Sequence, residues 1–195
     1  MLKANVEQVF ENNGGVLRLS QAPSLGLSKE AVCKMYHRGD LEKVHSGVYV
    51  RVDDLPDELV LLQAIYPKGI LSHESAAALY GFTTFTPSEP IFSFPQDFKL
   101  PRRDNLEIAP HYLNKNQYKT GMTEVLTWEG NPIRAYNQEK TLIDLARSRD
   151  TLPLIFKEAV DGYLTVGNVH MNRLMAYAEQ FGVLDKIRNG VAFYT

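Results

Sequence analysis

The stretch KEAVCKMYHRGDLEKVHSGVYVR, residues 29–51, changes its periodicity partway along. In its first part Val32, Met35 and Tyr36 recur at helical spacing, which predicts a helix with these three side chains toward a core. A glycine then ends the helix, and the residues around Ser46-Gly47 alternate with a period of two. The stretch therefore predicts a helix followed by a β-hairpin.

Further helical patterns precede this stretch. Residues 2–12 have helical spacing, a short extended piece follows, and Ser20 can cap a brief second helix. Ser28 can cap the helix of the quoted stretch through its hydroxyl group. The order helix, helix, turn, helix and hairpin is that of a winged helix-turn-helix, a DNA-binding domain that we place at residues 1–52.

Beyond an acidic boundary at 53–57, the chain mixes helices and strands. Strands are predicted at 91–94, 106–109, 124–128 and 133–136, and helices at 58–66, 72–80 (capped by Ser72), 138–148, 152–163, 168–181 and 183–189. The helix at 138–148 directs Leu142, Ile143 and Leu145 toward a core, and Lys140, Arg147 and Arg149 outward. The predicted fold class is α+β, with a mixed α/β C-terminal domain at 57–195 that ends in helices.

Positive charge gathers near the N-terminus of a chain whose formal net charge is −2. Residues 1–52 contain seven basic and five acidic residues, a net +2, so the remainder carries −4. Because phosphate attraction is local and screened by salt, only a DNA-facing surface has to be basic. The predicted DNA-contacting residues are Ser28, Lys29, Lys34, His37, Arg38, Lys43, His45, Ser46 and Arg51, with Glu30 and Cys33 on the same side of the helix. A winged helix that serves only protein interaction is the alternative at this point.

Cysteine use and hydropathy predict the compartment. Cys33 is the single cysteine, so no intrachain disulfide can form, as is usual in a reducing cytosol. The N-terminus carries charges where a signal peptide needs an apolar run, and no stretch approaches the ~20 apolar residues of a membrane span. We therefore expect a cytoplasmic protein.

Motifs for catalysis are weak. His73-Glu74 begins the zinc motif H-E-x-x-H, but Ala77 stands at its fifth position, and no phosphate-binding glycine motif is present. The sharpest enzyme alternative is a nuclease that binds a divalent ion through Asp97, Asp104 and Glu107, although the usual lysine two residues after Glu107 is missing. We interpret these carboxylates as surface charge and predict no catalytic residue, metal site or cofactor.

Three stretches in this order resemble the AbiEi antitoxin family of bacterial abortive-infection systems. They are LSKEAVCKMYHRGDLEKVHSGVYVRVD at 27–53, ILSHESAAALYGFTTFTPSEP at 70–90 and RAYNQEKTLIDLA at 134–146. The third stretch contains Lys140 where the family usually has arginine.

The resemblance implies an antitoxin of a type IV toxin–antitoxin system that represses its own operon. The N-terminal winged helix would bind inverted repeats in double-stranded promoter DNA, with two protomers on one operator. The C-terminal domain would counter an AbiEii-like nucleotidyltransferase toxin without a stable complex. A metal-dependent nuclease or toxin-modifying activity in the C-terminal domain is the alternative, so the expectation that the protein is not an enzyme stays open there.

Overall fold

The structure is a computed structural model that describes residues 4–100 and 108–192. Contacts between Cα atoms separate two compact units, Met1–Pro67 with Leu126–Ile133, and Lys68–Val125 with Arg134–Thr195. Helices combine with a three-stranded and a five-stranded sheet in the described part of the chain, which confirms the α+β fold class. None of the helices in these described ranges is both long and apolar enough to cross a membrane.

The first unit begins with a helix-turn-helix followed by a wing. Its elements are α1 (Ala4–Glu11), β1 (Val16–Arg18), a 3₁₀ helix (Ala22–Leu25), α2 (Lys29–His37), β2 (Leu41–His45), β3 (Val48–Arg51) and α3 (Glu58–Ile65). The strands pair antiparallel in the order β1-β3-β2, so the β2–β3 hairpin forms the wing. The expected cap of the short second helix is wrong: Gln21, not Ser20, occupies the N-cap position, and its side chain makes no capping hydrogen bond.

Apolar side chains cover both faces of this small sheet. The helical face joins the helices to the sheet in one buried cluster that includes Val6, Phe10, Leu17, Val32, Met35 and Tyr49. On the opposite face Val16 and Val50 pair across β1 and β3 and are buried. Helix α3 contacts β1, so it belongs to the same unit as the winged helix.

Asp57 fixes the start of α3. Its Oδ1 accepts hydrogen bonds from the backbone N–H groups of Leu59 at 3.0 Å and Val60 at 3.3 Å. Its Oδ2 accepts from Asn131 Nδ2 at 2.9 Å and from the Thr127 hydroxyl. The boundary expected from composition at 53–57 therefore ends in a buried carboxylate that joins the start of α3 to residues 127–131 of the first unit.

The second unit places helices beside a mixed sheet. The elements that lie wholly or mostly in the second unit are β4 (Ile70–Leu71), α4 (His73–Leu79), β5 (Ile91–Pro95), β6 (Ala109–Leu113), α5 (Lys115–Lys119), β7 (Met122–Leu126), β8 (Pro132–Tyr136), α6 (Gln138–Arg147), α7 (Pro153–Val166), α8 (Met171–Gln180) and α9 (Leu184–Ala192). Residue 126 of β7 and residues 132–133 of β8 belong to the first unit. The sheet order is β6-β5-β4-β8-β7. The strand predicted at 106–109 starts outside the described residues, and the observed β6 extends four residues past its predicted end. Helix α5 was not predicted; Asn114 caps it, with Oδ1 3.0 Å from the N–H of Gln117.

Helix α6 lies at the centre of the helical core and buries a charge pair. Leu142, Ile143 and Leu145 are fully buried, as predicted. The expectation that Lys140 points outward is wrong: this side chain is 0% exposed, and its Nζ donates to Asp144 one turn later. Hydropathy places a lysine on the surface, but a carboxylate at i+4 within the same core satisfies it. Arg147 and Arg149 are exposed, as expected.

Candidate nucleic-acid interface

A capping serine fixes the start of helix α2, and a glycine directly after its end turns the chain into the wing. The Ser28 hydroxyl accepts a hydrogen bond from the Ala31 N–H at 3.1 Å, which confirms the predicted cap. Val32 and Met35, at 0% and 5% exposure, hold one side of the helix against the core. Gly39 follows with φ +82°, a left-handed conformation that favours glycine and turns the chain into the wing.

The opposite side of α2 is exposed and carries the predicted base-facing residues. Lys29, Glu30, Lys34 and His37 are exposed, and Cys33 is half-buried. Two lysines on this side outweigh one glutamate, so the exposed side is locally positive. Such a helix side, free of packing and beside a wing, is the surface that helix-turn-helix proteins place in the major groove.

The prediction that Tyr36 faces the core with Val32 and Met35 is wrong. It is 39% exposed, and its ring lies edge-on to Tyr49 with 5.8 Å between the ring centroids. Its ring centroid is also 5.4 Å from that of His37. Helical spacing alone grouped Tyr36 with Val32 and Met35, but the narrow sheet covers only part of the helix circumference. An aromatic ring therefore borders the candidate interface.

The wing exposes a second set of polar residues. Gly47 has φ +72°, which closes the β2–β3 turn, and Lys43 and Ser46 next to it along the hairpin are exposed. His45 is half-buried, with Nδ1 3.1 Å from the Ser46 carbonyl oxygen. Lys43 lies on the edge strand β2 opposite Tyr49, so the two side chains are on the same face of the sheet. The wing can thus offer an ammonium group to a phosphate beside the groove.

The two predicted arginines already have carboxylate partners. Arg38 donates from Nε to Asp40 Oδ2 at 2.9 Å, and Arg51 donates from Nε to Asp54 Oδ2, also at 2.9 Å. The Arg38 side chain is 62% exposed and that of Arg51 only 23%, so Arg38 is the freer of the two to turn toward DNA. These carboxylates compete with phosphate for the guanidinium groups.

Three lysines are the strongest candidate cations of this surface. Across residues 4–100 and 108–192, no ion pair involves Lys29, Lys34 or Lys43. Their charge is therefore available for phosphate or for guanine. All nine predicted contact residues lie on α2, at its ends or on the hairpin, and their DNA contacts stay a prediction.

The histidine of the partial zinc motif is part of a buried contact in the second unit. His73 is 5% exposed with φ +52°, its Nδ1 lies 2.9 Å from Ser72 Oγ, and its ring stacks on His111 at 4.0 Å. Burial lowers the pKa of His73 well below its ordinary value, and the charges of His111, Lys140 and Arg147 act in the same direction. Ser72 occupies the N-cap position of α4, as predicted, but its side chain makes no capping hydrogen bond. Among the described residues no group of three potential metal ligands occurs.

The structure describes one of the three carboxylates that the nuclease alternative would use to bind a metal ion. Asp97 is exposed and follows β5. Asp104 and Glu107 lie outside the described residues. A metal-dependent nuclease activity therefore stays a hypothesis.

The fold and the exposed helix define residues 4–52 as a winged helix-turn-helix. Residues 6–52 match the family described as "Transcriptional regulator, AbiEi antitoxin", which confirms the resemblance for the winged helix. This family supports an antitoxin and transcription-regulator role for the protein. The resemblance of the stretches at 70–90 and 134–146 stays a prediction.

One solved structure supports the fold over nearly the whole chain. It is titled "Crystal structure of RV2827C protein from Mycobacterium tuberculosis", and the similarity covers 97% of this chain and 79% of that chain with a TM-score of 0.59. At 14% sequence identity, this similarity shows a shared fold and no more. No curated protein matches the sequence.

Proposed function

We propose that residues 1–52 bind inverted repeats in the promoter of the protein's own operon and repress it in the cytoplasm. We further propose that residues 57–195 counter a nucleotidyltransferase toxin without a stable complex. The observation that carries the first proposal is the Ser28-capped helix, whose exposed side presents Lys29 and Lys34. The family match of residues 6–52 supports the first proposal, and the word antitoxin in that family's description is the general support for the second.

The lysines and arginines divide into two kinds of contact. Lys29 and Lys34 lie on the helix that would enter the groove, where lysine can donate to guanine or to phosphate. Lys43 lies on the wing and Arg38 directly after the helix, where backbone phosphates run past. Arg51 would contribute less, because its side chain is more buried and pairs with Asp54.

Two protomers on inverted repeats would place two such helices on one face of the DNA. Half-sites are then expected one helical turn apart, ~34 Å, or a multiple of it. A symmetric pair doubles the number of phosphate contacts and steepens the salt dependence of binding.

The experiment is a salt titration of binding to the DNA upstream of the gene, beside a scrambled duplex. Lys34→Ala and Lys43→Ala are compared with Lys157→Ala, an exposed lysine of the second unit. A lost phosphate contact should weaken binding to both duplexes and flatten the salt slope by about one unit per protomer. A lost base contact should cost about 1–3 kcal/mol on the operator alone.

Two outcomes of this titration would contradict the proposed operator binding. If Lys34→Ala and Lys43→Ala match Lys157→Ala on both duplexes, the proposed interface is wrong. If the wild type binds both duplexes weakly and equally, the winged helix is a protein-interaction module rather than an operator reader.

The antitoxin half is tested by co-expression with the neighbouring toxin gene. Lys34→Glu should lose repression of a promoter fusion and keep rescue of growth, because its change lies in the first unit. Loss of both functions would contradict the proposed division of labour. Loss of rescue on Asp97→Asn, with a dependence on divalent ions, would favour the enzyme alternative.

A further inference from the structure

A second cluster of lysines surrounds a depression in the second unit. The depression has a volume of about 510 Å³. Its walls include Lys68 before β4, Gln96 and Asp97 after β5, and Lys115, Tyr118 and Lys119 on α5. Three ammonium groups face one carboxylate, so the depression carries a net positive charge. The sequence does not reveal this, because the lysines are up to 51 residues apart.

Hydrogen bonds hold the wall of the depression in place from the core outward. The fully buried Tyr136 donates its hydroxyl to the Tyr118 carbonyl oxygen at 2.9 Å. Tyr118 donates its own hydroxyl to the Lys68 carbonyl oxygen at 2.7 Å. The Lys68 ammonium lies 5.3 Å from the centroid of the Phe98 ring. The backbone on both sides of the depression is thus fixed before any ligand arrives.

The lysines are not neutralised within the protein. In the described ranges no ion pair involves Lys68, Lys115 or Lys119. Lys115 and Lys119 are four residues apart on one short helix, a spacing at which like charges repel. An anion between them and Lys68 would relieve this repulsion.

We propose that this depression binds a nucleoside polyphosphate. Its volume lies within the range of small-molecule sites. The lysines would take the phosphate groups, while Pro95 and the Tyr118 ring give the walls an apolar surface for a base. Asp97 at the rim can accept hydrogen bonds from a ribose hydroxyl or a base amino group. This site is separate from the winged helix and does not depend on the proposed operator binding.

The test measures binding to the full-length protein by calorimetry, without divalent cations. The probes are ATP, GTP, inorganic tripolyphosphate, adenosine and a short single-stranded oligonucleotide. We expect ATP or GTP to bind, tripolyphosphate to compete, adenosine to bind much more weakly, and added salt to reduce affinity. Lys68→Gln with Lys119→Gln should weaken nucleotide binding on the order of tenfold.

Lys157→Gln is the matched control, since that lysine is exposed on α7 and does not line the depression. Circular dichroism and melting temperature confirm that the variants fold. The proposal is overturned if no nucleotide binds, if adenosine binds as well as ATP, or if the paired variant equals the control. Binding of the oligonucleotide without binding of mononucleotides also overturns it and assigns the depression to a nucleic-acid strand. None of these outcomes affects operator binding, which is measured separately.

Discussion

Replacing Lys140 by methionine removes the ammonium group that faces Asp144 and keeps most of the side-chain volume. In the wild type the two side chains are 0% and 1% exposed, so water cannot hydrate either charged group. The ammonium also lies 4.2 Å from the centroid of the Tyr136 ring and 4.9 Å from that of Phe181. Breaking a buried pair of this kind costs about 3–5 kcal/mol, because the remaining charge stays buried and unpaired.

The assay is urea unfolding at pH 7, followed by circular dichroism. We expect Lys140→Met to lower the free energy of unfolding by about 3–5 kcal/mol, or the melting temperature by roughly 6–20 °C. The double variant Lys140→Met/Asp144→Leu should recover most of that loss, since an apolar pair of similar volume is often as stable as a buried ion pair. The double-mutant cycle then gives the coupling energy between the two groups.

The pH dependence of the stability loss is a second, independent test of this prediction. Burial raises the pKa of Asp144 and lowers that of Lys140, and each group's charged partner opposes the shift. Without the ammonium, the folded-state pKa of Asp144 lies further above its unfolded value of about 3.9. The folded protein then holds a proton that the unfolded chain releases, so stability falls as pH rises from ~4 through the raised pKa. The deficit of Lys140→Met should therefore be smaller at pH 4 than at pH 7.

Lys140→Arg is the conservative control. Among the buried side-chain atoms of the described residues, Asp144 Oδ2 makes no hydrogen bond. A guanidinium fork can reach both carboxylate oxygens, so the arginine variant should lose less than half of what methionine loses. The reasoning is refuted if Lys140→Met costs under about 1 kcal/mol, or if the double variant costs the sum of the two single ones.

Six further substitutions, at four positions, test local features. Gly162→Ala would put a Cβ 2.5 Å from the Phe82 Cα and should cost about 1–3 kcal/mol in urea unfolding. In Gly190→Ala the added Cβ has no neighbour nearer than 3.4 Å, so this variant should be neutral or stabilising by about 0.5–1 kcal/mol. If both glycine variants lose the same stability, the close approach of Gly162 to Phe82 is not the cause. Asp57→Ala should lower stability by about 2–4 kcal/mol, and Asp57→Asn by less, because the amide oxygen can still cap α3; a melting curve that ranks them otherwise would contradict this. Ser28→Ala should cost about 1 kcal/mol, whereas Ser28→Asp should melt like the wild type but bind the operator more weakly, since it keeps the cap and adds a negative charge.

The winged helix could be predicted because its signals are local. Ser28 caps α2 through a bond to a residue three positions later, and Gly39 and Gly47 supply left-handed backbone at the two turns. These interactions lie within a few residues of one another, so their spacing in the chain is enough to specify them. The period of two in the hairpin is equally local.

Two side chains, Tyr36 and Lys140, have environments that a distant segment decides, and sequence patterns predict both of them wrongly. Tyr36 has the spacing of a core residue but is 39% exposed, with its ring edge-on to Tyr49. Lys140 has the polarity of a surface residue but lies among Tyr136, Asp144 and Phe181. Hydropathy assigns each residue an average preference, and packing overrides it where a specific partner is present.

The sequence by itself determined the order of elements in the N-terminal domain, the capped helix and the polar residues that could face DNA. The pairs that Arg38 forms with Asp40 and Arg51 with Asp54 are local as well, two and three residues apart. Tertiary structure decided that Lys140 is buried beside Asp144 rather than exposed. It also brought Lys68, Lys115 and Lys119 around one depression. Periodicity records which way a side chain points from its own helix or strand, whereas the partner that it meets depends on how distant segments pack.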